Sequence, residues 1–461
     1  MPKPFLSIVL SAGQGTRFKS ERIKILHKLL DKPMVCLVLE CLKKINPEKI
    51  LVVVGYQKEE VIEELSPYGV EFVWQKEQLG TAHAVMCAEK ILKENKEKDL
   101  LVLNGDVPLL QPDLLVKLIR HHQKNNFSVT LVTAEIDSPK GYGRIVRNDQ
   151  GQIVKIVEDK DARPLQKKIK EINAGIYLFK ILDLLSALPY VSNKNIKKEY
   201  YLPEVVEILA EKDKSIGEIK TDRVEDILGV NTRYELSQAV RILRERKIKA
   251  LAESGVTFLD PATTWIDLGV KIEPDTVIYS QVIIEKNTRI GKGCSIYPFV
   301  HIINSQIGNR VKILSSTMIE ESIIEDKAQI GPFTHLRPKT IIKSKAKVGN
   351  FVEMKNTIFG KGSKAGHLSY LGDSEVGEGV NIGAGTVTCN FDGFKKYKTL
   401  IESGAFIGSG AELVAPIKIG REAYIGAGST ITKDVKPYSL AVARGKQISK
   451  LDWVKKRKRK K

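Results

Sequence analysis

Aliphatic residues recur every six positions through much of the second half of the chain. A repeat of this period predicts a parallel β-helix, in which each repeat forms a short strand with its aliphatic side chain directed inward. With three repeats per coil, residues 272–431 would form about nine coils, on the order of 43 Å long at ~4.8 Å between strands. A series of this length argues against an ordinary β-sandwich. It includes Ile272, Ile278, Ile284, Ile290, Ile296 and Ile302, resumes after one-residue slips at Ile307 and Ile324, and returns from Ile401 to Ile431.

The six-residue spacing is interrupted between Cys389 and Thr399. The interruption contains Asn390, Phe391 and several lysines. A loop that projects from a regular solenoid is a candidate functional insertion. The repeat alone does not select the hand of the coil, because parallel crossovers are normally right-handed.

The first 225 or so residues have a different pattern, in which short apolar runs alternate with segments that are apolar at helical spacing. This alternation predicts a mostly parallel sheet covered by helices, whose ligands bind at the carboxyl ends of the strands. A charged amphipathic stretch, 230–251, predicts a connecting helix. The predicted organisation is an α/β domain over 1–229, a helical linker over 230–255 and a repeat domain over 256–461. Strands are predicted at 5–10, 50–54, 72–74 and 100–103, and helices at 33–45 and 81–92.

The composition is unusual in its charge. The 461 residues carry 74 Lys and Arg against 55 Asp and Glu, a formal net charge of +19. Such an excess implies an anionic partner, which could be nucleic acid, a membrane surface or phosphorylated small molecules. The sequence has no apolar run of 18 residues, so no transmembrane helix is predicted, and the apolar start lacks a convincing signal-peptide cleavage site. Five scattered cysteines predict reduced, mostly buried thiols in a cytoplasmic protein.

A loop with two glycines, 10–17, follows the first predicted strand. Gly13 and Gly15 would let backbone N–H groups approach an anion, and Arg17 could neutralise phosphate. Phe18 stands where the dinucleotide fingerprint has its last glycine, and no Gly-Lys-Ser/Thr follows, so the loop is neither that fingerprint nor a P-loop. Taken alone, the loop could equally be a plain turn.

Two further loops follow predicted strands. Asp106 comes just after a buried strand, where an acidic side chain can bind the Mg²⁺ of nucleotide phosphates. It could also form a turn before Pro108. Gln75 and the segment 78–81 could read a base edge, and Thr81 could instead cap the following helix.

Several short motifs occur in a characteristic order along the whole chain. In the first half they resemble the sugar-1-phosphate nucleotidylyltransferases. In the second half they resemble the hexapeptide acyltransferase half of the bifunctional family that joins N-acetylglucosamine-1-phosphate uridylyltransferase to glucosamine-1-phosphate acetyltransferase. The motifs are Ser11-Ala-Gly-Gln-Gly-Thr-Arg17, Lys24-Ile-Leu-His27, Gln78-Leu-Gly-Thr81, Asn104-Gly-Asp106, Gly141-Tyr-Gly-Arg144 and Glu171-Ile-Asn-Ala-Gly175, then Arg337-Pro338, Asn350-Phe-Val-Glu-Met-Lys355, Lys364-Ala-Gly-His-Leu-Ser-Tyr370, Asn381-Ile-Gly-Ala-Gly385 and Cys389-Asn390.

The resemblance implies a Rossmann-like nucleotidyltransferase domain, a connecting helix and a left-handed parallel β-helix of hexapeptide repeats. It implies two activities: acetylation of glucosamine-1-phosphate by acetyl-CoA, then transfer of uridylyl from UTP to the product. The result would be pyrophosphate and UDP-N-acetylglucosamine, a precursor for cell wall and lipopolysaccharide. Mg²⁺ is the implied cofactor.

The resemblance also assigns residues to the uridylyl site. Two departures from the family occur nearby: Ile23 replaces the usual proline before the phosphate lysine, and Ser11 replaces an alanine. Neither removes a charged group. The implied residues are Leu10, Ser11, Ala12, Gly13, Gln75, Gly80 and Thr81 for uracil and ribose, Arg17 and Lys24 for the phosphates, Asn104 and Gly105 beside them, Asp106 and Asn231 for Mg²⁺, and Gly143, Glu158 and Asn173 for the amino sugar.

Acetyl transfer to an amine benefits from a base, and histidine, with an ordinary pKa near ~6.5, suits that task. Among the seven histidines, His121 and His122 are expected to be solvated on a polar helix. His301 and His335 lie on predicted coils without polar neighbours in sequence. His367 is the candidate base because polar residues of the acyltransferase motifs surround it.

By resemblance, His367 is the base and Asn390 supports it. The family often has tyrosine where this chain has Phe391, so one hydroxyl is lost and the ring is kept. Ligands of such solenoids bind between neighbouring subunits, so a homotrimer through the β-helix is implied. The other implied residues are Arg337 and Lys355 for the sugar phosphate, Tyr370 and Asn381 for the sugar, and Ala384, Asn390, Phe391, Ser409, Ala427 and Arg444 for acetyl-CoA.

Two other functions remain open from the sequence: a nucleotidylyltransferase of different base or sugar specificity with a non-catalytic solenoid, and a non-catalytic binding protein of the same architecture. The presence of Asp106, Arg17, Lys24 and His367 favours the bifunctional enzyme. Residues 444–461 carry ten Lys and Arg and one Asp. This basic end, with 455–461 at its tip, is expected to be solvated rather than to read nucleic acid, while UTP, sugar phosphate and CoA account for part of the remaining charge. No membrane partner is expected.

Overall fold

The computed structural model describes residues 3–458. The last three basic residues of the chain end, 459–461, lie outside the described residues. The chain forms two compact units, Met1–Leu243 and Arg244–Lys461, and the division falls inside the helix Arg233–Glu253. Within the described part of the chain, no helix is both long and apolar enough to cross a membrane.

The first unit is built on a nine-stranded sheet. Its central strand, Phe5–Leu10, pairs in parallel with a strand on either side, and Glu171–Lys180 is antiparallel to its neighbours. Four of the eight strand pairings are parallel and four are antiparallel, so the sheet is mixed, and the prediction of a mostly parallel sheet holds only for the strands around Phe5–Leu10. From edge to edge the strands are Ile216–Lys220, Val129–Glu135, Glu171–Lys180, Asp99–Asn104, Phe5–Leu10, Lys49–Val54 and Glu71–Trp74, with Arg144–Arg147 paired to Glu171–Lys180 and Ile153–Val157 paired to Arg144–Arg147.

Helices cover both faces of this sheet, and each face has its own apolar layer. The helix predicted over 81–92 forms in two pieces. A two-stranded hairpin, Lys28–Leu29 with Lys32–Pro33, follows the first loop. The helices are Met34–Lys43, Lys58–Leu65, Thr81–Met86, Glu89–Glu94, Pro112–Asn125, Ile181–Ala187, Glu204–Glu211 and Arg233–Glu253, with 3₁₀ turns at Thr16–Phe18, Lys24–Leu26, Ser66–Tyr68, Gln166–Lys168, Leu188–Tyr190 and Val224–Ile227.

One sequence expectation about this unit is wrong. His122 is buried, with 1% of its surface exposed, and its Nδ1 lies 2.8 Å from Thr130 Oγ1. The helix Pro112–Asn125 explains this, because Leu115 and Leu118 precede His122 by seven and four residues and so share its inward face. The part of the cysteine expectation that concerns burial is confirmed: Cys36, Cys41 and Cys294 are buried, and all five thiols are free.

The second unit is a prism of short parallel strands, as the six-residue repeat predicts. One sheet contains nine strands, one for each coil, in agreement with the predicted number: Lys271–Ile272, Arg289–Ile290, Gln306–Ile307, Ile323–Ile324, Ile341–Ile342, Ile358–Phe359, Ser374–Val376, Thr399–Ile401 and Ile417–Ile419. The remaining strands alternate between the other two faces: Thr257–Phe258, Trp265–Ile266, Val277–Ile278, Ile283–Glu285, Ser295–Ile296, His301–Ile303, Lys312–Ile313, Met318–Glu320, Gln329–Ile330, His335–Leu336, Lys347–Lys355, Lys364–Gly372, Asn381–Ile382, Val387–Cys389, Phe406–Ile407, Glu412–Val414, Tyr424–Ile425, Thr430–Ile431 and Leu440–Ala441.

The aliphatic residue of each repeat points into the prism and forms one continuous core. Paired residues in successive coils occupy the same position, so Ile278 stacks on Ile296 and Ile296 on Ile313. The loop 390–398 adds length without breaking this stacking, because Ser374 pairs with Thr399 across it. After the last coil, a six-residue helix, Trp453–Lys458, lies in the basic end, and its residues are exposed.

Candidate active sites

A cleft of about 860 Å³ opens at the carboxyl ends of the central strands of the first unit. Leu10 and Asn104, which end two adjacent strands, are paired across the sheet, and Gly105 N–H donates to Leu10 O at 3.0 Å. The two loops that were singled out in the sequence therefore meet at one edge of the sheet. The predicted residues that line the cleft are Leu10, Ser11, Ala12, Gly13, Arg17, Lys24, Gln75, Gly80, Thr81, Asn104, Asp106, Glu158 and Asn231.

Positive and negative groups alternate at the floor of this cleft. Lys24 Nζ lies 2.5 Å from Asp106 Oδ2 and 3.2 Å from Asn231 Oδ1, and Arg17 Nη2 donates to the same amide oxygen at 2.8 Å. Ile23, the departure noted in the sequence, is buried at 1% exposure and so anchors the chain beside Lys24. Two cations are thus held where phosphates of a nucleotide could be neutralised.

The position of Asn231 is set by the start of the helix Arg233–Glu253. Glu235 Oε2 accepts hydrogen bonds from Asn231 N–H at 2.7 Å and from Thr232 N–H at 2.9 Å, and Thr232 Oγ1 accepts from Glu235 N–H at 3.2 Å. This reciprocal pair is a capping box, which fixes the first turn of a helix. The backbone of Val230 adds a bond to Asp106 O at 2.9 Å.

The sequence resemblance implies a divalent metal ion in this cleft, and the donor set can be tested against one. Among residues 3–458, no group of three or more His, Cys, Asp and Glu side chains is placed to hold a metal. Asp106 and Asn231 nevertheless direct two oxygens at one cation, the Lys24 ammonium. Mg²⁺ in nucleotide sites takes one or two protein oxygens and completes its shell with waters and phosphates, so one carboxylate and one amide fit it.

Gly143, Glu158 and Asn173, expected at the amino sugar, lie close together, and Glu158 lines the cleft. A side chain on Gly143 would come within 3.4 Å of Glu158 Oε1 and 3.7 Å of Asn173 Cβ. Burial raises the pKa of the Glu158 carboxyl. Asn173 donates to Tyr177 OH at 2.5 Å and accepts from Gly175 N–H at 3.1 Å.

At the opposite end of the cleft, Gln75 and Thr81 hold the loop between them. Gln75 Nε2 donates to Gly80 O at 3.0 Å and lies 3.1 Å from His83 Nδ1. Thr81 Oγ1 accepts from Leu202 N–H at 2.9 Å; it makes no capping bond to its own helix. Gly80 has φ +115° and leaves no room for a side chain against the backbone of residue 200.

A second cluster lies on the β-helix. Arg337 and Lys355 occupy neighbouring coils, since Leu336 pairs with Met354, and Arg337 also pairs with Glu353 at 2.8 Å. The pKa of Lys355 is lowered, first by the charge of Lys396 and then by that of Arg337. Three cations therefore converge on one place, as a phosphate site requires.

Lys396 was not identified from the sequence. It lies in the loop 390–398, where an antiparallel bridge with Phe391 closes the loop on itself, and its charge acts on Lys355 of the coils. The run of lysines at 395, 396 and 398 was the available signal, but sequence alone does not show which of them turns inward. Phe391 itself is exposed.

His367 is held by a neighbour other than the expected one. Its Nδ1 lies 2.6 Å from Asn350 Oδ1, and these two residues are paired in successive coils. Asn390 instead donates to Asp373 Oδ2 at 2.5 Å, so the expected support of His367 by Asn390 is not observed. Because an amide oxygen only accepts, the ring proton lies on Nδ1 and Nε2 keeps its lone pair.

The other solenoid histidines have partners that sequence spacing concealed. His301 Nε2 lies 2.7 Å from Glu285 Oε2, and His335 Nε2 lies 2.8 Å from Glu320 Oε2. In a solenoid, neighbours come from the preceding coil, about one coil length away in sequence. His367 therefore differs from these two in having an uncharged partner.

The remaining expected residues follow His367 along the prism. Ala384, Ser409 and Ala427 take the same position as His367 in the later coils, because the strands on either side of them are paired in register. Arg444 Nη1 donates to Ala427 O at 2.8 Å. Asn381 pairs with Lys364 of the preceding coil, and a side chain on Gly372 would meet Tyr370 OH at 2.5 Å and Asn390 Nδ2 at 2.7 Å, which places Tyr370 near Asn390.

Comparison with known proteins agrees with this division. Residues 6–271 match the nucleotidyl transferase family, 266–344 match the GMPPB C-terminal domain, and 398–433 match the bacterial transferase hexapeptide repeats. The bifunctional protein GlmU of Thermotoga maritima is 47% identical over 453 residues, 98% of this chain and 99% of that protein. GlmU of Syntrophomonas wolfei is 46% identical over 441 residues, 96% of this chain and 98% of that protein.

The chain belongs to the GlmU family. It is a bifunctional transferase, with a nucleotidyl transferase unit and a hexapeptide transferase unit, and not a non-catalytic binding protein. The hexapeptide match and the stacked parallel sheets support the left-handed β-helix that the sequence resemblance implies. Membership of this family and the hexapeptide repeats fit small-molecule substrates and oligomerisation.

Proposed function

We propose that this GlmU protein acetylates glucosamine-1-phosphate with acetyl-CoA and then converts the product and UTP to UDP-N-acetylglucosamine and pyrophosphate. The observation that carries the proposal is the presence of two separate sites in one chain. One contains Arg17, Lys24, Asp106 and Asn231 in a nucleotide-sized cleft; the other contains the His367–Asn350 pair beside three cations. A nucleotidylyltransferase with an inert solenoid would have no use for the second site.

Uridylyl transfer in the first site needs charge neutralisation more than acid–base chemistry. The phosphate oxygen of N-acetylglucosamine-1-phosphate is already anionic at neutral pH and attacks the α-phosphorus of UTP, while the bond to the β-phosphate oxygen breaks and pyrophosphate leaves. Arg17 and Lys24 bind the phosphates and align them. Gly143, with no side chain, leaves space for the amino sugar beside Glu158.

Mg²⁺ is the proposed cofactor of this step, held by Asp106 and Asn231. When bound, it neutralises the charge of the nucleotide phosphates. The Lys24 ammonium, which contacts both oxygens, is then available for phosphate.

Acetyl transfer in the second site begins with the amine of glucosamine-1-phosphate. Nε2 of His367 takes a proton from the amine as its nitrogen attacks the thioester carbonyl carbon. The C–S bond breaks, and the departing thiolate of CoA takes the proton from the imidazolium. Arg337, Lys355 and Lys396 bind the sugar phosphate, and the Asn350 amide holds the ring in the required tautomer.

The proposal includes a homotrimer formed through the β-helix and a cytoplasmic location. A short apolar row on the nine-stranded face supports assembly: Ile323 is 42% exposed and Ile358 38%, with Ile341 paired between them. Glu375 follows Ile358 in the row and ends it. Five free thiols suit a reducing compartment.

A coupled assay tests the function. The purified protein is given glucosamine-1-phosphate, acetyl-CoA, UTP and Mg²⁺, and in parallel UTP with N-acetylglucosamine-1-phosphate. Formation of UDP-N-acetylglucosamine in both is expected. Product in the second reaction alone would contradict the acetyltransferase and support the nucleotidylyltransferase with an inert solenoid.

A further inference from the structure

One corner of the β-helix is a column of residues that share a backbone conformation. The strands on either side are paired in register throughout, so the members stack one coil upon the next. All have positive φ, between +43° and +75°. We call this set the corner column; its members are Gln281, Phe299, Ser316, Phe333, Phe351, Leu368, Gly385, Gly410 and Gly428.

Side-chain size in the corner column changes abruptly after Leu368. Phe333 and Phe351 are stacked, with ring centroids 5.3 Å apart and planes 12° apart, and Leu368 is the next member. The three members that follow are glycines. The neighbouring column, which contains His367, changes from a large to small side chains at the same coil, because His367 is followed by Ala384, Ser409 and Ala427.

The large members have no evident role in folding. A bulky side chain at positive φ is a costly backbone conformation, yet Leu368 is 62% exposed and Phe351 56% exposed. Because they are exposed, the side chains of Leu368 and Phe351 contribute little to the core to offset the cost of this backbone conformation. Positive φ also occurs at other corners of the prism, as at Lys327 and Lys345, so the conformation belongs to the turn. The exposed bulk of Phe351 and Leu368 is what distinguishes this column.

The small members form a trough that begins at His367. It runs over the three coils of Ala384, Ser409 and Ala427, on the order of 14 Å at ~4.8 Å per coil. A Cβ on Gly428 would contact nothing within 4 Å, so the floor is open there. Such a trough fits a narrow unbranched chain, and the pantetheine arm of acetyl-CoA is one. Its thioester then lies at the closed end, beside His367.

Resting on the proposed acetyltransferase function, we propose that Leu368, backed by Phe351, is the residue that limits the acyl group to acetyl. Its side chain stands at the closed end of the trough, one residue from the base. A methyl group fits between the thioester carbon and this wall, and each further methylene meets the leucine.

The test is acyl selectivity, measured as kcat/KM for propionyl-CoA divided by kcat/KM for acetyl-CoA. Leu368→Ala is expected to raise this ratio about tenfold or more, the usual effect of one methylene in an apolar pocket. Phe333→Ala is the matched control: it removes a large side chain from the same column two coils away, and the ratio should stay at the wild-type value.

A reciprocal variant keeps the test independent of how Leu368→Ala folds. Gly385→Leu would move the wall one coil along the trough. A Cβ there would meet Gly410 only at ordinary contact distance, 3.5 Å, and the strain of a side chain at φ +75° is of the kind that Leu368 and Phe351 already carry in this column. Acetyl-CoA turnover should be lost while uridylyl transfer is kept.

Three outcomes would overturn the inference: an unchanged ratio in Leu368→Ala, normal acetylation by Gly385→Leu, or a wild type that uses propionyl-CoA as well as acetyl-CoA. A wild type without any acetylation would overturn the proposed function itself. The two failures are therefore distinguishable.

Discussion

At the scale of single residues, the tautomer of His367 is set by one hydrogen bond. Asn350→Ala removes the acceptor for Nδ1–H, so the ring can place its proton on Nε2, where it blocks proton abstraction. We expect kcat for acetyl transfer to fall roughly tenfold to a hundredfold, less than the full contribution of a general base, with little change in KM for glucosamine-1-phosphate. Steady-state kinetics against Asn309→Ala, an asparagine on an earlier coil, provide the comparison; equal kcat values would contradict the assignment.

The half-buried Glu158 carboxyl gives a pH-dependent prediction. Because burial raises its pKa in the folded protein, its favourable contribution is complete below the unfolded pKa and is lost as pH rises through the folded pKa. Glu158→Gln removes that loss. The Tm of the Glu158→Gln variant minus that of the wild type should therefore become more positive from pH 4 to pH 8. Thermal unfolding of the full chain measures both values. A constant difference across this range would show that the carboxyl is not destabilised by burial.

The sequence predicted single residues unevenly. His367 was identified because a motif surrounds it, but Asn350 was missed as its partner although it lies in a quoted motif. The reason is that stacking partners in a solenoid are one coil apart, 17 residues for Asn350 and His367, and no local motif marks that spacing. The loop 390–398 lengthens the spacing to 25 residues for the partners on either side of it. The prediction that His122 is solvated was wrong for a simpler reason: its neighbours in sequence are polar, while the helical face on which it lies is apolar.

At the scale of elements, the loop 390–398 brings a third cation to the sugar-phosphate site. Lys396→Met should raise KM for glucosamine-1-phosphate about tenfold, as expected for one charge-assisted contact, and leave KM for acetyl-CoA near normal. Lys395→Met, whose side chain instead lies over the Tyr397 ring at 5.1 Å, is the matched control. If both variants bind the sugar phosphate equally well, the loop does not complete this site.

Most elements could be predicted because their periods are strong. The strands that flank the nucleotide cleft are continuous apolar runs, and the six-residue repeat allows few folds. The helix expected over 81–92 was less well predicted, because it forms in two pieces separated by Cys87 and Ala88, and no glycine or proline marks that break.

At the scale of the whole molecule, the two active sites lie in different compact units. Asp106→Asn should abolish uridylyl transfer and leave acetylation near normal, because the carboxylate that faces Lys24 is lost only from the first site. His367→Ala should lower acetylation by about 10²–10⁴ and leave uridylyl transfer intact. Both activities are measured for both variants, and parallel loss in either one would contradict independent sites.

The fold as a whole was accessible from the sequence, since two regions with different hydrophobic periods imply two architectures. The positions of charged side chains within the cleft were not, because Lys24 and Asn231 come from distant parts of the chain and meet only through the sheet and the capping box. Their contact depends on tertiary packing rather than on any local pattern.

The trough on the β-helix has a consequence for the cooperativity of the solenoid. In a solenoid each coil contacts only its neighbours, so local unfolding starts at an exposed end and proceeds inward one coil at a time. The coils of Ala384, Ser409 and Ala427 are the last full ones, and they include the C-terminal end of the prism. In the proposed binding mode, one molecule of acetyl-CoA contacts all three coils, which otherwise unfold one after another. Binding of this substrate should therefore also suppress local unfolding at this end.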